Sequence, residues 1–194
     1  MKSPREIEIK LKVEHPFTLR KKLKQCGFVV LERQHFERNI VFDFPDSRLR
    51  RSCSLLRLRT AGKRHILTYK GPPQASDAYK IRTEIETEVH DAGPLRGILE
   101  ALGFRPIFRY EKFRTAYAEK DRTHVLEAQL VYDETPIGNY VELEGPARWI
   151  DRVARRLGYE KRDYVTASYA ALYQDYCREN GVQQGDMVFS EINS

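Results

Sequence analysis

Residues 5–14 read REIEIKLKVE, and the fold turns on how this decapeptide is read. Glu6, Glu8, Lys10 and Lys12 fall on one side, with Ile7, Ile9, Leu11 and Val13 on the other. A period of two is that of a β-strand, whose successive side chains point to opposite faces. The apolar side demands a core. Two acids followed by two bases make an odd surface for bulk water, so the question is what the charged side faces.

The same device recurs along the chain. Arg57 and Arg59 oppose Leu56 and Leu58 in LLRLRT, and Lys112 and Arg114 oppose Phe113, Thr115 and Tyr117 in YEKFRTAY. Arg82, Glu84, Glu86 and Glu88 oppose Ile81, Thr83, Ile85, Thr87 and Val89 in KIRTEIETEV, and Glu142 and Glu144 oppose Val141 and Leu143 in NYVELEG. Charge alternation alone fits an ordinary sheet with one wet face. Here, however, the charges segregate: acids gather on the first, fifth and eighth strand-like runs, bases on the third and sixth. Two arginines on one strand face repel each other unless an anion or carboxylates lie opposite.

Eight such runs are expected, near 5–13, 35–43, 54–60, 65–70, 79–89, 108–119, 123–132 and 139–145. Short connections such as AGKR (61–64) and the polar EKDR (119–122) point to hairpins and an antiparallel sheet that curls or closes. Four helices are expected at 16–28, 94–104, 147–159 and 166–177. Pro16 opens the first, Gly27, Gly103 and Gly158 stop the first three, and Thr166 is the expected cap of the fourth. Trp149, Ile150, Val153 and Leu157, and Tyr169, Leu172, Tyr173 and Tyr176, form helical stripes read as core packing. The helices need apolar strand faces to pack on. A mainly β fold meets every condition: a closed eight-stranded antiparallel β-barrel with helices outside and charge inside. Small barrels normally fill with apolar side chains. One lined with charge must hold water, ions and a ligand, because unpaired buried charge is very costly. The domain is expected over 1–176, with a polar tail at 177–194 whose MVF (187–189) hints at docking.

At 194 residues with 41% hydrophobic content, one large domain with a true core is expected. The net charge of +6 suits an anionic partner without choosing among nucleic acid, membrane surface and phosphorylated small molecule. No apolar run is long enough to span a membrane, and MKSPREIEIK has no signal-peptide core. Cys26, Cys53 and Cys177 are scattered and odd in number, which fits a reducing cytoplasm rather than a disulfide framework or a metal knuckle. The histidines at 15, 35, 65, 90 and 124 do not cluster. Each reads as a surface or loop residue.

A lumen rich in guanidinium and ammonium groups calls for a polyanion, since arginine grips phosphate through paired hydrogen bonds and lysine acts as a point charge. The acids cannot touch phosphate directly. They make sense if Mg²⁺ or Mn²⁺ lies between carboxylate and phosphate oxygens. A linear triphosphate would be neutralised along its length.

These residues resemble the CYTH superfamily, the triphosphate tunnel metalloenzymes. EIEIK is similar to its ExExK signature, and LLRLR, LTYKGP with Lys70, RTEIE, YEKFR, DETPIGNYVELEG and TASYAAL follow in order. The resemblance implies that Glu6, Glu8, Glu142 and Glu144 hold metal ions. It implies that Lys10, Arg57, Arg59, Lys70, Arg82, Lys112 and Arg114 bind the triphosphate, with Glu8, Lys70 and Lys112 catalytic. Glu84, Glu86 and Asp133 are further tunnel candidates, and Lys12 continues the strand face beyond the signature. The superfamily includes class IV adenylyl cyclases, which turn ATP into cyclic AMP and pyrophosphate, and thiamine and inorganic triphosphatases, which release the terminal phosphate. LGFRPIFRYEKFRTAY resembles the cyclase branch. ATP, tripolyphosphate and thiamine triphosphate are therefore the candidate ligands. A non-catalytic polyphosphate barrel would keep the bases but not the acids. An RNA-binding barrel would expose aromatics for base stacking, whereas most Tyr and Phe here fall on apolar faces.

Overall fold

The computed structural model of the chain describes residues 5–76, 78–120 and 128–192, without the side chains of residues 191 and 192. The second half of the expected EKDR turn, the expected strand start at 123 and His124 lie outside the described residues.

Strand β1 (Arg5–Val13) is followed by helix α1 (Pro16–Gln25), β2 (Phe28–Asp43), the one-turn α2 (Arg48–Arg51) and the hairpins β3 (Leu55–Ala61), β4 (Arg64–Lys70) and β5 (Lys80–Val89). Helix α3 (Ala92–Ala101) leads to β6 (Arg105–Glu119), β7 (Gln129–Thr135), β8 (Gly138–Glu144) and α4 (Ala147–Arg156). A two-residue strand β9 (Tyr164–Val165), α5 (Tyr169–Asn180) and the short α6 (Phe189–Ile192) end the chain. The strands run β5-β4-β3-β2-β6-β7-β8-β1, and β1 pairs again with β5. That second pairing, Glu6 opposite Arg82 and Glu8 opposite Lys80, closes an eight-stranded antiparallel barrel. Beyond Glu8, β1 exchanges β5 for β9, with Lys10 opposite Val165.

β2 begins earlier than expected. Its first half pairs with the end of β6 through register shifts between Val30 and Glu32 and between Glu32 and His35. Each shift slips the side-chain alternation, so residues 28–34 lose the period of two from which a strand is recognised.

The main core lies outside the barrel wall. Ile9, Leu11 and Val13 of β1, Leu130 and Tyr132 of β7, and Val141 and Leu143 of β8 pack against Leu19 and Leu23 of α1 and Trp149, Ile150 and Val153 of α4. A smaller core joins Leu99 of α3 to Phe42, Leu56 and Leu58. Helix α5 starts at Ser168, not Thr166: the Ser168 hydroxyl accepts from the Ala171 N–H, while β9 holds the chain extended up to Val165. Tyr169 and Tyr173 of this helix pack on Val41, Tyr110 and Tyr140, which share strand parity with the charged residues. α5 therefore closes one end of the barrel. Gly181 turns the chain in the left-handed region (φ 66°). β7 covers only residues 113–117 of β6, so the strap after α5 can add to the edge left open. The Met187 N–H donates to Arg109 O (2.9 Å), and the Glu111 N–H donates to Met187 O (3.0 Å).

Truncating Ile150, fully buried outside the wall, to alanine should cost about 2–5 kcal/mol in urea unfolding. Ile85→Ala, at a site 55% exposed, should stay within about 0.5 kcal/mol. Similar losses at both sites would contradict this placement of the core.

Candidate functional site

A cavity of about 180 Å³ runs inside the barrel. Glu6, Glu8, Lys10, Arg57, Arg59, Lys70, Arg82, Glu84, Glu86, Lys112, Arg114, Glu142 and Glu144 all line it. Two expected residues do not. Lys12 is exposed beyond the pairing with β9 and lines a separate groove with His15 and Lys22. Asp133 is fully buried behind the lining, where its carboxylate accepts from Lys112 Nζ (2.8 Å), Arg114 Nε (2.7 Å) and the Tyr169 hydroxyl (2.7 Å). It thereby aims two cations into the channel.

Several channel residues escape a sequence reading. Lys80 lines the cavity and lies 3.2 Å from Glu8. It is the first residue of KIRTEIETEV and shares parity with Arg82, so the charged face, carried back two residues from Arg82, reaches it. Glu37 of β2 is 2% exposed and lies 3.6 Å from Lys112 and 3.8 Å from Arg59. Within the expected strand at 35–43 one face mixes Glu37 and Asn39 with Val41 and the other mixes Arg38 with Phe36 and Ile40, so neither stands out as the charged side. Tyr169 lines the cavity from α5, where helical spacing marks it only as core.

The carboxylates fall into two groups. Glu8 is surrounded by Lys80, Arg82 (3.4 Å) and Lys10 (3.8 Å), and Glu142 binds Arg114 and Lys10 (3.3 Å). Burial pushes both carboxyls up, but the neighbouring cations prevail and hold them well below the usual range. Glu37, though burial pushes it up, is likewise lowered to about 2 by Arg114, Lys112 and Arg59. The second group is Glu6, Glu84 and Glu144, each offering one oxygen within 4.8 Å of the others. Burial, then repulsion from Glu6 and Glu84, pushes Glu144 up to about 8. Glu84 rises to about 7 through burial and Glu6, partly offset by Lys70. Lys70 Nζ lies between Glu6 (2.6 Å) and Glu84 (3.0 Å), whereas no ion pair from a described residue reaches Glu144. An oxygen-only, acid-rich trio fits a hard divalent cation. Opposite in character, Arg57 Nε is buried with no hydrogen-bond partner among the described residues, which suits an anion that accepts from it.

The fold and this lining define a closed antiparallel barrel with an ion-lined internal channel. The chain belongs to the CYTH domain family, which matches residues 4–169. It is 32% identical over 139 residues, 72% of this chain and 75% of the relative, to a Methanocaldococcus jannaschii protein named "Putative adenylate cyclase". A Vibrio parahaemolyticus structure described in the same words has a TM-score of 0.76 at 19% identity, covering 89% of this chain and 99% of that one. A Hippeastrum protein, described as a "Putative adenylyl cyclase" that reveals a dominant triphosphatase activity, has a TM-score of 0.61 at 18% identity, covering 92% and 97%. The two structures share the fold.

The acid trio makes the cation-free protein pH-sensitive. The folded-state value for Glu144 is raised from 4.5 to about 8, so its contribution to stability is full below 4.5 and is lost as pH rises towards 8. With EDTA present, Glu144→Gln should raise Tm relative to wild type more at about pH 8 than at about pH 5. Mn²⁺ should raise the wild-type Tm at the higher pH and raise the variant's less. A variant indistinguishable from wild type at both pH values would remove Glu144 from the cluster.

Proposed function

We propose that the chain is a divalent-cation-dependent enzyme that holds the triphosphate of its substrate in the barrel and acts as an adenylate cyclase, converting ATP to cyclic AMP and pyrophosphate. One observation carries this reading: eight cationic side chains line a single channel together with a carboxylate trio suited to a hard cation. The name of the archaeal relative supports it.

Arg57 is held by the Tyr110 hydroxyl (3.1 Å) and Thr68 (3.3 Å), which leaves its Nε to donate to a phosphate oxygen. Arg59, Lys10, Arg82 and Arg114 supply further charge along the channel. Lys70, 2.6 Å from Glu6, and Lys112, held by Asp133, are set to stabilise charge that develops on non-bridging oxygens. Glu6, Glu84 and Glu144 would hold the cation, with Glu8 and Glu142 as the further acids of the ExExK and VELE motifs. When bound, the cation would neutralise phosphate charge and polarise the reacting phosphorus–oxygen bond. In cyclisation the ribose 3′-hydroxyl loses its proton to water, its oxygen bonds to the α-phosphorus, the bond from that phosphorus to the bridging oxygen breaks, and pyrophosphate leaves with the electron pair. Glu8 stays ionised at neutral pH and orients Lys80 and Arg82. Three free cysteines fit a reducing cytoplasm, and among the described residues no helix is long and apolar enough to cross a membrane.

Hydrolysis of the terminal phosphate is the second reading. The dominant triphosphatase activity attributed to the Hippeastrum protein supports it, as does a channel lining that grips phosphate and little else.

Incubation with ATP and with tripolyphosphate, each with Mg²⁺ or Mn²⁺, followed by product chromatography, separates the two. Cyclic AMP with pyrophosphate is expected, orthophosphate would establish the second reading, and no consumption of either compound would refute both. EDTA should stop turnover. Glu6→Gln and Glu84→Gln should lose about a hundredfold or more in kcat with the fold intact, and full activity would take the trio out of the site. Arg57→Ala should weaken tripolyphosphate binding about tenfold or more while orthophosphate binding changes far less. Equal losses would contradict a channel built for the whole triphosphate.

A further inference from the structure

The net charge of the chain is unevenly spread. Residues 16–36 hold five lysines and arginines and one acid, Glu32, so this stretch alone carries +4 of the chain's +6. It comprises helix α1 and the first half of β2, which lie side by side. Arg20 of α1 (3.9 Å) and Gln34 of β2 both reach the Glu134 carboxylate, which ties the two elements together.

The same stretch exposes apolar side chains. Leu19 and Leu23 turn inward from α1 to the main core, so helical spacing puts Phe17, Arg20, Lys21 and Lys24 on the solvent side. Phe17 is 84% exposed. On β2, Val29, Val30 and Leu31 are exposed in succession, Leu31 at 64%. β3 pairs with β2 only from Glu37 onward, so among the described residues no strand pairs with that edge of residues 28–36. Lys22 is turned away, its Nζ donating to Leu157 O (2.8 Å), while Arg20, Lys21, Lys24 and Arg33 stay exposed.

We infer that this face is a docking surface for an anionic lipid bilayer. Phe17 and Val29–Leu31 enter the headgroup region, and the four exposed cations meet the negative charge of the lipids. None of these residues lines the channel.

The combination of charge and apolar surface selects the partner. A nucleic acid would use the cations, but aliphatic side chains offer no π-face for its bases to stack on. A second copy would bury the apolar residues, but a two-fold interface sets this face against itself, cation against cation. The register shifts between Val30 and Glu32 and between Glu32 and His35 also blunt the β2 edge against pairing with another strand. An anionic membrane surface accepts both features. Its charge draws in basic side chains, and the boundary between headgroups and acyl chains takes exposed aromatic and aliphatic groups out of water.

Co-sedimentation of the full-length protein with phosphatidylcholine vesicles, with and without about 30% phosphatidylserine, tests this. Binding to the serine-containing vesicles should be about tenfold or more tighter, and about 0.5 M NaCl should release most of the protein. Phe17→Ser/Leu31→Ser should weaken binding to the anionic vesicles about tenfold, and so should Lys21→Glu/Lys24→Glu. Ile98→Ser/Leu102→Ser, at apolar sites of similar exposure on α3 and at its C-terminal end, should bind as wild type does. An unchanged thermal transition reports that each variant is folded. No binding to anionic vesicles, equal binding with and without phosphatidylserine, or wild-type affinity in either patch variant would overturn the inference. A dimer in sedimentation velocity that Phe17→Ser/Leu31→Ser makes monomeric would also overturn it, and would assign the face to a second copy. Salt-sensitive binding to single-stranded RNA, tighter than to the vesicles and unchanged in Phe17→Ser/Leu31→Ser, would overturn it in favour of nucleic acid.

Discussion

The structure depends on the pairing of β5 with β1. Glu6 faces Arg82 and Glu8 faces Lys80 across that seam, and the pairing joins the two edges of what would otherwise be an open sheet. An open sheet would turn its charged face to water, where ion pairs between exposed groups contribute little. Closure puts the same side chains into a confined space, where each must find a counter-charge. Glu6, Glu8, Lys70, Lys80 and Arg82 become one interlocked set at distances of 2.6–3.4 Å. The seam thus creates both the barrel and its electrostatics.

Such an interior does not make the protein stable. Removing charges from water costs several kcal/mol each, and pairing them roughly offsets that loss. Stability comes from outside the wall, where Leu11, Ile150, Val153 and Leu143 are fully buried. The usual arrangement of a small barrel is inverted: the apolar residues face outward to helices, and the polar ones face inward. Separating the two tasks leaves the lumen free to keep groups that a hydrophobic core would not tolerate. The trio of Glu6, Glu84 and Glu144 is the clearest case, since three carboxyl groups share one small space beside Lys70.

The ends of the barrel are as consequential as its wall. Helix α5 brings Tyr169 onto Asp133, and so ties the plug to the two bases that Asp133 orients. The strap beyond it adds to the open edge of β6 and walls a larger, mostly apolar space beside the charged one.

The alternation of REIEIKLKV, LLRLR and VELE determined the strands, their apolar faces and the list of charged residues, because side-chain parity is a local property of extended backbone. It also made closure legible, since segregated acids and bases on separate strands need one another. Boundaries blurred where bulges broke the period, as at the start of β2, and at element ends such as the start of α5 and the end of β7. The partition of the carboxylates was not legible. Glu8 and Glu84 look alike as text, yet the one is pinned among cations and the other is crowded by acids. Nor did the sequence reveal Glu37, the channel role of Tyr169, or the exclusion of Lys12. Each of these depends on which strand or helix end lies opposite, at distances set by register and closure. Parity along one strand carries no information about that.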